Sequence, residues 1–124
     1  MGCEVAVRAI RGAIQLDVDE REHLLASTRE LVTAVLEAND LSTDSVISII
    51  FTVTADIHSE FPAVAARELG MGDVPLICTT EIDVPGSLPR VVRLMAHAEM
   101  DVPRSEVRHV YLRGAKALRR DIAQ

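Results

Sequence analysis

The sequence predicts an α/β domain whose helices cover mainly one face of its sheet. Two observations support this prediction. Segments with helical periodicity alternate along the chain with short runs rich in β-branched residues, an order typical of packed strands and helices. The runs that resemble strands are strongly apolar, and the predicted helices are too few to cover both faces of a sheet. We therefore expect copies of the chain to associate and cover the remaining face.

The first half of the domain is predicted to begin with a strand and a long helix. Residues Glu4 to Ile10 alternate in polarity, and this strand should end at Arg11-Gly12. Asp17, with Glu20 three residues later, resembles a capping box, and predicts a helix from Val18 to Ala38. The predicted apolar stripe of this helix contains Leu24, Leu25, Thr28, Leu31, Val32, Val35 and Leu36. Asn39 is a plausible left-handed stop for the helix.

A second strand and a short helix are predicted next. Val46 to Thr54 is largely apolar and β-branched, which indicates a central strand buried on both faces. A turn or one short helical turn at 42–44 precedes it. Pro62 to Leu69 is predicted to be a short helix closed by Gly70, and Pro75 to Thr79 a further strand.

The segment after the Pro85-Gly86 turn is predicted to be a third helix, capped by Ser87. Its apolar stripe should contain Leu88, Val91, Val92 and Met95. A second stripe, on another face, should contain Arg90, Arg93 and His97. The last elements are predicted to be a helix end at Asp101 to Pro103, a strand at Val107 to Leu112 and an extended segment at Ala115 to Leu118.

The composition is typical of one globular domain and bounds its partners. The chain has 124 residues, of which 48% are hydrophobic and 26% charged, so it can bury a core. A formal net charge of -6 argues against nucleic acid as a partner, although a local arginine cluster could still bind an anionic metabolite. We also expect no membrane association, because no apolar run approaches the roughly 20 residues that a membrane helix needs. With no signal pattern at the start, we expect a cytoplasmic protein.

The common catalytic motifs are weak or absent. The four histidines lack zinc-ligand spacing, and Cys3 and Cys78 have no metal-binding or disulfide pattern. We therefore expect no metal and no cofactor. Several charged or polar side chains remain as candidates, among them Arg11, Arg93 and Glu81. Taken singly, each is better explained as a surface group, and spacing alone does not bring any two together.

Ordered stretches across nearly the whole chain give a sharper prediction. They are Val7 to Ala13, Thr54 to Ala63, Ala66 to Leu69, Val74 to Cys78, Glu81 to Val84, Arg93 to Met95, and Asp101 to Pro103 through Arg108 to Leu112. Together these stretches resemble the monofunctional trimeric chorismate mutases, a class distinct from the all-helical mutases. The ordered set is highly specific, although any one fragment would be weak.

The resemblance implies a fold, an assembly and a reaction. The fold is a mixed sheet with helices on one side, and three chains pack into a pseudo-α/β-barrel with active sites at subunit clefts. The reaction is the [3,3] rearrangement of chorismate to prephenate in aromatic amino acid biosynthesis. This reaction needs no proton transfer, nucleophile or cofactor, which is consistent with the missing motifs.

The resemblance also implies site residues. The catalytic positions would be Arg93, Arg11, Glu81 and Tyr111. The substrate-binding positions would be these four together with Ile77, Cys78, Thr79, Thr80, Phe61, Ala63, Arg67 and Arg119. Two positions depart from the family pattern, since Val64 replaces a frequent lysine and Ile77 a frequent threonine.

Two alternatives remain open at this point. One is an imine-deaminase type of trimer, which also places an arginine in an intersubunit cleft but has a different motif set. The other is a trimer that binds a carboxylate metabolite without turnover. Loss of chorismate on adding the protein separates both from a mutase.

Overall fold

The computed structural model describes residues 4–119. Within this range the chain forms five strands, β1 (Ala6–Gln15), β2 (Val46–Val53), β3 (Leu76–Thr80), β4 (Val91–Met100) and β5 (Val110–Leu112), and two α-helices, α1 (Arg21–Ala38) and α2 (Pro62–Glu68). Short 3-10 segments occupy Thr43–Ser45, Arg104–Glu106 and Arg113–Arg119. The predicted turn before β2, the short helix α2 and the strand β3 are confirmed to within a residue or two.

The strands form one sheet in the order β3-β2-β4-β1-β5. The central strand β4 is antiparallel to both β1 and β2. The outer pairs, β1 with β5 and β2 with β3, are parallel. The sheet is therefore mixed, as the resemblance implied.

The hydrophobic core lies between the sheet and α1, with α2 packed alongside. The stripe predicted for α1 is confirmed, because Leu24, Leu25, Thr28, Leu31, Val32 and Val35 are all buried. Gly12 of β1 lets the helix approach closely, since a Cβ there would lie 3.1 Å from Val35 and 3.2 Å from Leu31. Gly12 is therefore a packing residue within β1, and β1 continues past it to Gln15 instead of ending there.

The ends of α1 differ from the prediction. The helix begins at Arg21, and its N-cap is Glu20, whose carboxylate accepts hydrogen bonds from the backbone N–H groups of Glu22 and His23 at 3.1 and 2.9 Å. The capping box predicted at Asp17 is wrong. At the other end Asn39 has φ -108, and the left-handed residue is Asp40 with φ 53.

The largest error concerns the third helix, which is the central strand β4. Val92, Leu94, Ala96, Ala98 and Met100 are buried toward the helices, and the residues between them face the other side. This alternation extends over nine residues, whereas the helical stripe fitted only 88–95. Because β1 and β2 satisfy the backbone groups of β4 on both edges, the strand period prevails. The segment at 101–103 consequently ends a strand.

Three smaller predictions are also corrected. The last strand is shorter than predicted and begins at Val110, and the segment at 115–118 is 3-10 instead of extended. The strand β2 is interior to the sheet but not buried on both faces. Ile49 and Phe51 face the helices, while Ile47 is exposed.

One face of the sheet carries no α-helix, and we call it the open face. The 3-10 segment Arg113–Arg119 covers part of it, where Ala115 packs against Ala13 and Val91. The open face presents Val7, Ile50, Ile77 and Met95, and both Val7 and Ile77 are exposed in the isolated chain. Within residues 4–119, no helix has both the length and the apolar character needed to cross a membrane.

Candidate active site

The strand register places three of the predicted catalytic residues on the open face. Thr52 of β2 pairs with Arg93 of β4, Arg93 pairs with Ala13 of β1, and Ala13 pairs with Tyr111 of β5. Arg11 lies two residues before Ala13, on the same face. Ala13, which lies between Arg93 and Tyr111 in the register, is fully buried and packs with Tyr111 and Ala115.

Arg11, Arg93 and Tyr111 line the same cavity, which has a volume of about 230 Å³. Ile50, Thr52 and Met95 contribute side chains to its wall. These three were not predicted to be site residues. The only sequence signal for Thr52 was a hydroxyl at an alternating position of an otherwise apolar strand.

Glu81 completes this group from the end of β3. Its backbone N–H donates to the carbonyl of Val53 at 2.9 Å, so the chain continues the line of the strand. Its Oε2 atom accepts a hydrogen bond from Thr52 Oγ1 at 2.7 Å and lies 2.8 Å from Arg93 Nε. The Nε–H of Arg93 is buried and is not aimed at that oxygen, so this contact is an ion pair without a well-formed hydrogen bond. The four predicted catalytic residues therefore lie close together on the open face.

The backbone of Arg11 is fixed by a partner that the sequence analysis did not single out. The N–H of Arg11 donates to Nδ1 of His109 at 2.9 Å. This bond joins β1 to the segment that leads into β5, where Tyr111 lies. His109 therefore has a structural role.

Cys78, Thr79, Thr80 and Phe61 line a separate cleft of about 320 Å³, which we call the Phe61 cleft. Cys78 pairs with Phe51 and packs against the core on the helix side of the sheet, whereas Glu81 contacts Thr52 on the open face. Cys78, which the resemblance implied as a substrate-binding position, therefore does not line the cavity of Arg93 in a single chain. Phe61 is 67% exposed, which is unusual for a phenylalanine.

The remaining predicted binding residues are scattered. Ile77 is exposed on the open face, and Ala63 is buried in the first turn of α2. Arg67 is exposed in the last turn of α2, and Val64 packs against the core. The side chain of Arg119 lies outside the described residues, as does Cys3. Across residues 4–119, no group of three or more His, Cys, Asp or Glu side chains is arranged to hold a metal ion.

Comparisons with known proteins agree with this geometry. A family model described as chorismate mutase type I matches residues 7–122. The chorismate mutase AroH of Thermus thermophilus is 51% identical over 117 residues, which cover 94% of this chain and 96% of that protein. The chorismate mutase AroH of Bacillus subtilis is 38% identical over 118 residues, or 94% and 93%. A solved chorismate mutase from Clostridium thermocellum superposes with a TM-score of 0.87 at 45% identity, covering 88% of this chain and 97% of that one.

The chain has a mixed sheet with its α-helices on one face, and two arginines, a carboxylate and a tyrosine lie together on the other face. The family that matches it is a family of isomerases. The chain belongs to the type I chorismate mutase family. The resemblance noted in the sequence is confirmed, and with it the fold class and the enzyme class. Membership in this family decides against the imine-deaminase alternative.

Proposed function

We propose that this chain rearranges chorismate to prephenate at the cavity lined by Arg11, Arg93 and Tyr111. One observation carries the proposal. Two arginines that are distant in sequence line one small cavity with a phenol, and one of them is paired with a carboxylate there. A dianionic substrate with a hydroxyl group needs this combination of cations and a hydrogen-bond acceptor.

The chemistry explains why fixed positive charge is useful. In the [3,3] rearrangement, the C–O bond of the enol ether breaks ahead of C–C bond formation, so negative charge grows on the ether oxygen. A cation held at that oxygen before reaction stabilises the transition state more than the ground state. Removing one such donor typically costs about 10²–10³-fold in turnover.

Arg93 is proposed as that cation. Within the described chain its only polar partner is Glu81, and its terminal nitrogens donate no hydrogen bond. Its side chain is 43% exposed, whereas that of Glu81 is 16% exposed. The guanidinium is therefore held at one edge by a fixed carboxylate and offers the rest of its planar fork to the ether oxygen and a substrate carboxylate.

The other three residues are proposed to hold the substrate in its compact, reactive conformer. Arg11 pairs with a carboxylate of the substrate, and Tyr111 donates a hydrogen bond at the same end of the substrate. Glu81 keeps Oε1 for the ring hydroxyl, since its known partners both contact Oε2. Holding a flexible molecule in a near-attack conformer lowers the entropic part of the barrier.

We also propose that three copies assemble and that each active site lies between two of them. The open face carries no α-helix and exposes the apolar side chains of Val7 and Ile77, and exposed apolar surface of this kind favours association. The cavity lined by Arg11, Arg93 and Tyr111 is separate from the Phe61 cleft in one chain. In the proposed assembly, the Phe61 cleft of one copy packs against this cavity of the next copy. A cytoplasmic location remains the expectation from the sequence.

The deciding experiment is an assay of chorismate absorbance with the purified protein, with prephenate identified as the product. We expect turnover without added metal or cofactor. A transition-state mimic should bind at least about a hundredfold more tightly than chorismate. Equal binding of the two without turnover would favour the carboxylate-binding trimer and contradict the proposal.

A further inference from the structure

The segment between β2 and α2 is tied to the chain that precedes α1. The carboxylate of Asp19 accepts a hydrogen bond from the backbone N–H of His58 at 2.8 Å. Its second oxygen accepts from the N–H of Ser59 at 3.2 Å. These two residues are about 40 positions away from Asp19 in the chain, and they line the Phe61 cleft. One carboxylate therefore holds two successive amides of a cleft wall.

A second carboxylate extends this connection to Phe61 itself. Glu60 accepts from the backbone N–H of Phe61 at 2.9 Å through Oε1. Its Oε2 atom lies 2.8 Å from Nε of Arg21, which donates to it from the first residue of α1. The backbone of Phe61 is therefore joined to the start of α1 through Glu60 and Arg21.

The support for Asp19 is itself well anchored. Leu16 is buried, and its N–H donates to the carbonyl of Arg90 at 2.7 Å. The N–H of Asp17 donates to Nε2 of His23 on α1 at 3.1 Å. The first two residues of the short connection from β1 to α1 are thus held, one by Arg90 and the other by α1, which restrains the segment that carries Asp19.

The electrostatics favour the ionised carboxylates. Desolvation raises the pKa of Asp19, but the nearby Ser59 hydroxyl and the N–H groups of His58 and Ser59 outweigh it, so the pKa is lowered. The hydroxyl of Ser59 itself makes no well-aligned hydrogen bond. The N–H of Phe61, and then Arg21, lower the pKa of Glu60. Both groups are anions at neutral pH, which strengthens each bond to a backbone amide.

These hydrogen bonds matter for Phe61 because packing within the chain does not hold its ring. A ring that is 67% exposed has few contacts to set its position, so its place depends on its backbone. We propose that Asp19 is a positioning residue for the substrate, because it holds the wall of the Phe61 cleft. The hydrogen bonds from His58 and Ser59 to Asp19, together with the Arg21–Glu60 pair, form what we call the latch. This proposal rests on the proposed function, since Phe61 matters only if the Phe61 cleft forms part of the active site.

The test compares Asp19→Asn and Asp19→Ala with Asp17→Asn in the full-length chain. Asn keeps one acceptor oxygen and Ala keeps none, so the two variants form a graded series. Asp17 is an exposed neighbour whose carboxylate makes no hydrogen bond within the described residues, so Asp17→Asn removes the same charge without touching the latch. Circular dichroism and thermal unfolding identify variants that remain folded.

The first readout is hydrogen exchange of residues 57–61 by mass spectrometry, which needs no activity. We expect exchange to accelerate roughly tenfold or more in Asp19→Ala, less in Asp19→Asn, and not at all in Asp17→Asn. Unchanged exchange in folded Asp19→Ala would overturn the latch itself.

The second readout is the division of the kinetic effect between KM and kcat. A displaced binding wall should raise KM for chorismate about tenfold while kcat changes less, in the same graded order. Faster exchange with KM unaltered would overturn the positioning role. Absence of turnover in the unaltered chain would instead contradict the proposed function and leave the exchange result to decide whether the latch exists.

Discussion

Glu81 reaches Arg93 across an intervening strand. Glu81 follows β3, Arg93 lies on β4, and β2 is placed between them in the sheet. Arg93 Nε lies 2.8 Å from Glu81 Oε2, and Thr52 of the intervening strand β2 donates a hydrogen bond to the same oxygen. Residues from three neighbouring strands or their ends thus position one guanidinium.

The charge of Arg93 should matter more than its shape. Arg93→citrulline keeps a planar hydrogen-bonding group but loses the positive charge, so kcat should fall about a hundredfold or more. Steady-state kinetics on semisynthetic protein measures this, with Arg29→Gln on the surface of α1 as the control. Turnover within a few-fold of the unmodified chain would contradict the electrostatic mechanism.

Thr52 should tune the site through Glu81. Thr52→Val keeps a similar side-chain volume and removes the hydroxyl that donates to Glu81, so the carboxylate is less well held. We expect kcat/KM to fall roughly tenfold, with a small effect on stability. Thr33→Val on α1, on the opposite side of the sheet, is the matched control. Equal kinetics for the two variants would mean that Glu81 does not need its Thr52 bond.

Gly12 should be intolerant of even one methyl group. A Cβ at this position would lie 3.1 Å from Val35, 3.2 Å from Leu31 and 3.3 Å from Leu94. Gly12→Ala should therefore lower the free energy of unfolding by about 1–3 kcal/mol. Gly72→Ala, where nothing lies within 4 Å, should change it by less than about 0.5 kcal/mol. Urea denaturation of both variants tests the difference, and comparable stabilities would refute the close approach of α1.

The stabilising effect of Asp19 should depend on pH. Its pKa is lowered in the folded chain, so its contribution to stability is present above the unfolded pKa and is lost as pH falls through the folded one. The difference in thermal midpoint between the unaltered chain and Asp19→Asn should therefore shrink between about pH 5 and pH 3. The same comparison with Asp17→Asn should give a smaller difference at neutral pH. A difference that grows on acidification would contradict the hydrogen bonds to Asp19.

The fold class and α1 could be predicted from the sequence, and the sequence also nominated four residues that the structure places close together. Helix α1 was predictable because its apolar spacing repeats every turn within one segment, and such a pattern needs no partner to interpret. Family resemblance supplied Arg11, Arg93, Glu81 and Tyr111, since motif order survives even where local structure is misjudged. The error at β4 did not change the prediction that Arg93 lies near Arg11 and Tyr111, because that prediction rested on motif order.

Only the tertiary structure decided which of these side chains share a surface. The segment containing Val91, Val92 and Met95 fits helical and strand periods alike, and its pairing with β1 and β2 chose between them. That pairing also set the register that brings Arg11 and Arg93 to one cavity and leaves Cys78 on the other face. Local periodicity is a property of neighbours in the chain, whereas register depends on hydrogen bonds between strands that are far apart in sequence.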